Sequence, residues 1–220
     1  MSEEELTGIA VQPGVQVLQT SEPPRLATWE LLNEAFFSRR PDVELRIYGC
    51  NSATCDLSFV RALTHVRNFA ADCLQSANGV EYLGQIPHLE ALSVGVFDLE
   101  SFDFLKDVPS GLRRLALGAT RSKKPRLAAL ARFGQLEDLF LEGQQKGIEV
   151  LSQLRGLETV TLRSVTTDNL DYLTPLDKMW SLGLKLGGIR DLSAIRAMPN
   201  TTRSSRTPPA SGRREASTNS

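Results

Sequence analysis

The chain is short of the side chains that most often carry chemistry. Its 220 residues include two histidines and three cysteines, aromatic residues make up 6%, and 25 Lys and Arg stand against 26 Asp and Glu. A formal net charge of −1 argues against polyanion binding as the main task, because neutralising phosphates needs clustered excess Lys and Arg. No apolar stretch reaches 18 residues, which excludes a membrane-spanning helix. The opening MSEEELTGIAVQPGVQVL is acidic and lacks the basic start and apolar run of an export signal, so a cytoplasmic location with no membrane partner is expected. Cys50, Cys55 and Cys73 are odd in number and read as free thiols, and with a histidine they fit no compact zinc motif. Glycines between Gly183 and Gly188 lack the spacing and the following Lys-Ser/Thr of a phosphate-cradling loop, so neither a nucleotide nor another cofactor is expected.

Hydrophobic residues at 41% and charged residues at 23% are those of a folded chain, and their order carries a period. The pattern apolar-x-x-apolar-x-apolar recurs as VRNFAA (66–71), LEALSV (89–94), LRRLAL (112–117), LEDLFL (136–141), LETVTL (157–162) and MWSLGL (179–184). DVELRI (42–47) heads the series with Asp42 at its first position. The fourth position falls at Leu45, Phe69, Leu92, Leu115, Leu139, Val160 and Leu182, at intervals of 24, 23, 23, 24, 21 and 22 residues. Alternation inside each motif predicts a short strand with one buried face. Leu57 and Val60, Leu99, Phe102 and Leu105, and Leu127, Leu130 and Phe133 follow at looser three-residue spacing. So do Val150, Leu151 and Leu154, then Leu170, Leu173 and Leu176, then Leu192, Ile195 and Met198. That spacing suits a short α or 3₁₀ segment returning the chain to the next strand. Neither half-repeat buries its apolar face alone, so the period implies a stack.

These residues resemble the leucine-rich-repeat family, in particular its short internalin-like and phosphatase-regulator-like repeats, and IRDLSAIRAMPN (189–200) is similar to their return segment. The resemblance implies an α/β fold: a right-handed leucine-rich-repeat solenoid of about seven short parallel strands with helical or 3₁₀ returns. The column where the family places asparagine holds Cys50, Leu74, Phe97, Thr120, Gln144, Val165 and Gly187, so the repeats are degenerate.

Residues 1–27 read as a loose arm, with a short strand near Val15 to Leu18, and residues 28–41 as a capping helix. Thr28 serves as its N-cap, Trp29, Leu32 and Phe36 share one face, and Arg39, Arg40 and Pro41 stop it. The repeats occupy 42–200. Residues 201–220 contain no Val, Ile, Leu, Met or Phe, predict a disordered tail and break the repeat in mid-phase, which suggests truncation or a shifted frame, with a natural tail as the rival reading. Without the tail's four Arg and one Glu, 21 basic and 25 acidic residues remain, net −4.

Stacked strands place equivalent positions in columns, and the exposed columns form a concave face. One reads Arg46, Ala70, Ser93, Ala116, Phe140, Thr161, Gly183; the next reads Tyr48, Asp72, Gly95, Gly118, Glu142, Arg163, Lys185. The centre is small, and Arg46 and Tyr48 at one end and Phe140, Glu142, Arg163, Lys185 and Trp180 at the other are the candidate partner-binding residues, since aromatic residues and Arg anchor protein interfaces. His65 and His88 each precede a strand motif, but no nucleophile or third ligand accompanies them and they read as loop residues. Arg121, Lys123, Lys124 and Arg126 form a basic run without interleaved aromatics, read as a solvated loop and not a nucleic-acid site. The expected function is a non-catalytic protein-protein interaction module with a protein partner. The alternatives are the recognition or regulatory part of an enzyme whose catalytic region lies elsewhere, and a nonproductive fragment.

Overall fold

A computed structural model describes residues 3–50, 54–122 and 125–198. Eight strands form one sheet: β1 (Val17–Thr20), β2 (Glu44–Tyr48), β3 (Asn68–Leu74), β4 (Ala91–Val96), β5 (Arg114–Leu117), β6 (Asp138–Glu142), β7 (Thr159–Arg163) and β8 (Ser181–Lys185). Sheet order equals chain order and every pairing is parallel, so each strand is carried back across the stack before it meets the next. The returns are 3₁₀ turns at Ser58–Ala62, Val80–Gln85, Asp103–Lys106, Leu127–Arg132, Ile148–Gln153, Asp171–Leu173 and Ser193–Ala197.

The register reproduces the sequence column: Leu45, Phe69, Leu92, Leu115, Leu139, Val160 and Leu182 lie side by side, and Leu18 of β1 extends the row. Their inner face packs on Val60, Leu83, Leu105, Leu130, Leu151 and Leu173 of the returns, all fully buried. Each such leucine contributes about 1.5–3 kcal/mol of burial. In the degenerate asparagine column one polar rung survives. Gln144 is buried and donates through Nε2 to Thr120 Oγ1 at 3.0 Å and to the Gly118 carbonyl at 3.4 Å.

The N-terminal end is more structured than the expected arm. Helix α1 (Glu3–Ala10) buries Leu6 and Ala10, and β1 pairs with β2 from Val17 to Thr20. Two arginines tie this segment down: Arg39 donates to Thr7 Oγ1 at 3.0 Å, and the Arg40 guanidinium donates to the carbonyls of Ala10, Gln12 and Val15 while holding Asp42 at 2.8 Å. Helix α2 (Leu26–Leu32) starts two residues ahead of Thr28, after Arg25 and without a side-chain cap, and passes into one π turn, Asn33–Phe37. Trp29 seals the first repeat by stacking on Phe59 with ring centres 4.2 Å apart. Asn33, also buried, accepts the His65 N–H and donates to Thr64 Oγ1 and Glu34 Oε1, joining the cap to the first return loop.

At the other end Leu182 and Leu184 are half-buried, whereas the same columns are fully covered in the central strands, and Leu186 and Leu192 are exposed. The tail expected over 201–220 lies outside the described residues.

Candidate functional site on the open face of the sheet

Three positions of each strand or of its direct continuation alternate onto the open face. From β2 to β8 they are Glu44, Arg46, Tyr48; Asn68, Ala70, Asp72; Ala91, Ser93, Gly95; Arg114, Ala116, Gly118; Asp138, Phe140, Glu142; Thr159, Thr161, Arg163; and Ser181, Gly183, Lys185. The predicted small centre is a trough over β3 to β5, between a wall carrying Arg46, Tyr48 and Asp72 and a wall carrying Phe140 and Glu142. Packing dictates part of its smallness. A Cβ on Gly118 would lie 2.9 Å from the Gly95 Cα, and one on Gly95 would lie 3.2 Å from the Asp72 Cβ.

Four of the charges on this face are paired with one another. The Arg46 guanidinium grips both Asp72 oxygens at 3.0 and 3.1 Å and lies 4.5 Å from the centre of the Tyr48 ring. Arg163 meets Glu142 at 3.2 Å on the neighbouring strand. Glu142 and Arg163 face each other in register, Arg46 reaches Asp72 diagonally, and both pairs preorganise the walls, while pairs of this kind add at most about 1 kcal/mol to stability. Tyr48 is 39% exposed, and its hydroxyl is raised above the usual phenol range by its contact with Cys73. Lys185 is exposed at the end of β8; Trp180, 49% exposed, stands ahead of the same strand on the opposite rim. The structure thus groups Arg46 with Tyr48, and Glu142 with Arg163 beside Phe140, and leaves Trp180 apart from both. Phe140, expected to be exposed, is half-buried and separates two hollows of about 390 and 320 Å³.

The larger hollow contains residues the sequence columns passed over, those one step before Arg46 and its equivalents. Asp42, Glu44, Asn68, Arg114 and Asp138 line it together with Ala91, Ser93, Ala116 and Phe140. The Arg114 side chain crosses Ala91 to donate to Asn68 Oδ1 at 2.8 Å, and Asn68 in turn donates to the Pro41 and Asp42 carbonyls. Among the described residues neither Glu44 nor Asp138 makes an ion pair or a side-chain hydrogen bond. Burial holds the Glu44 carboxyl above the ordinary range, opposed by Arg46 and Arg114. The first position of each motif's strand, filled here by Glu, Asn, Ala, Arg and Asp in succession, was the sequence signal available for this hollow.

The remaining candidates are dispersed. His65 approaches Glu34 at 3.7 Å and His88 is exposed in the next loop. Among the described residues no three His, Cys, Asp or Glu side chains are grouped to hold a metal. Arg121 of the basic run pairs with Asp98 at 2.8 Å and stacks over Phe97; Lys123 and Lys124 lie outside the described residues. No described helix is long and apolar enough to cross a membrane.

No protein-family model and no curated protein matches the chain. Solved structures do. Internalin C2 from Listeria monocytogenes superposes with a TM-score of 0.62 at 18% identity, over 91% of this chain and 81% of that one. Internalin InlF from the same organism gives 0.54 at 17% identity, over 77% and 54%. TLR13 in complex with ssRNA13 gives 0.57 at 14% identity, over 90% of this chain and 33% of that one. Eight parallel strands in chain order with 3₁₀ returns, together with the superposition on these structures, make this chain a leucine-rich-repeat solenoid.

Proposed function

We propose that the chain is a non-catalytic interaction module that binds a protein partner on the open, concave strand face. One observation carries this reading: the face is a trough of small residues between two walls whose charged side chains are held in place, with the half-buried ring of Phe140 between its two hollows. Fixed walls and an aromatic anchor lower the ordering cost of association. A partner seated there would meet Phe140, Glu142, Arg163 and Lys185 on one side and Arg46 and Tyr48 on the other, with Trp180 reached only by a partner that overhangs the rim. The ssRNA of the TLR13 complex belongs to that protein. On the present face acidic and basic side chains alternate, a pattern suited to a protein and not to a polyphosphate.

Affinity capture from the source cell extract with the full chain tests the reading. The wild type is compared with a Phe140→Ala, Arg163→Ala double variant and with Gln153→Ala on a return segment, each with an unchanged circular dichroism spectrum. A partner lost only with the double variant supports the face; one lost only with Gln153→Ala places binding on the returns instead.

A further inference from the structure

We infer that the larger hollow on the open face receives basic side chains of a protein segment, one beside Asp138 and Phe140 and a second at Glu44. The inference rests on the reading of this face as the binding surface and names the chemistry of its partner. Acidic charge is left over on this face. Asp72 is neutralised by Arg46, Glu142 by Arg163 and Asp42 by Arg40, whereas Glu44 and Asp138 make no ion pair among the described residues. Arg114 is the register neighbour of Asp138 yet leans the other way across Ala91 and is fixed on Asn68. The hollow is therefore lined by three carboxylates and one tethered guanidinium.

Geometry adds a preference for a side chain over a free ion. Asp138 and Phe140 are two residues apart on β6 and point to the same side, about 7 Å from each other. A guanidinium or ammonium lying against the ring meets the carboxylate with the same group, combining a cation–π contact with a charge-assisted hydrogen bond. Glu44 stands on the opposite wall, four strands away at about 4.8 Å per strand, a separation of roughly 19 Å that leaves room for a peptide backbone between the two anchors. Ala91, Ser93 and Ala116 form the floor and let that backbone approach closely.

The test is a titration of the ¹⁵N-labelled full chain, followed by amide shifts, with N-acetyl-arginine methylamide, with its uncharged citrulline counterpart and with single-stranded oligouridylate. The arginine probe is expected to give saturable shifts at Ala91, Ser93, Ala116 and Phe140. With citrulline, and in a Glu44→Gln, Asp138→Asn variant of unchanged spectrum, the apparent affinity should fall at least about fivefold, as for losing a charge-assisted contact. Equal response to citrulline, insensitivity to the double variant, absence of any shift, or saturable shifts at these amides with oligouridylate each overturn the inference. If the arginine response is absent while capture still depends on Phe140 and Arg163, the basic-segment assignment fails alone; if both fail, so does the face.

Discussion

Replacing Leu139 by alanine probes the stack where it is closed on both sides, and the same change at Leu182 probes it where it is open. Leu139 is completely buried, with Leu115 and Val160 beside it in register. Leu182 occupies the same column, is half-buried and has Val160 on one side. Removing the Leu139 side chain beyond Cβ forfeits about 2 kcal/mol of transfer free energy, and the cavity left in a covered site raises the total to about 3–4 kcal/mol. At Leu182 half of the transfer is already lost and the gap opens to water, so about 1–1.5 kcal/mol is expected. For a chain of this length these losses lower the melting temperature by about 10 °C and about 4 °C respectively. Thermal denaturation followed by circular dichroism reads both. A Leu182→Ala cost equal to or above that of Leu139→Ala would refute the one-dimensional account, in which each repeat is stabilised by the neighbours that cover it.

Four further outcomes follow. Gly118→Val should destabilise by about 1–3 kcal/mol in urea, because its side chain must displace the Gly95 backbone, and an unchanged midpoint would show that β4 and β5 can part freely. Asn33→Ala should cost about 1–3 kcal/mol by orphaning the His65 N–H, and a neutral result would remove the link between cap and first return. Burial pushes the Cys55 thiol up to about 12, so iodoacetamide at pH 8 should label exposed Cys73 well before Cys55; labelling of Cys55 first would contradict the packing of that repeat. Glu44 keeps its proton to higher pH in the folded chain than in the unfolded one, so its ionisation lowers stability as pH rises through that range. Glu44→Gln should therefore raise the urea midpoint at pH 7 and leave it level with wild type near pH 3, and equal midpoints at both would show that the carboxyl is solvated.

The repeat columns were legible because a parallel stack converts sequence period directly into register: Leu45 to Leu182 fell into one row as their spacing required. The same columns held the wall pairs, since Glu142 and Arg163 occupy equivalent positions of successive repeats and Arg46 stands diagonally from Asp72. What escaped depends on direction and depth, which period does not encode. Nothing in the sequence says that Arg114 leans over Ala91 to Asn68 and leaves Asp138 alone, or that Phe140 is half-covered by its neighbours. The N-terminal segment looked loose because Leu6, Ile9 and Ala10 make a short stripe, and its side-chain attachments run through Arg39 and Arg40, about 30 residues downstream.

The central claim, that the open strand face is where the partner sits, is tested most directly by photo-cross-linking in the source cell with a benzoylphenylalanine placed at position 140 or at position 153. The account predicts a discrete cross-linked species from position 140 and none from position 153; a species formed from 153 and absent from 140 would contradict it.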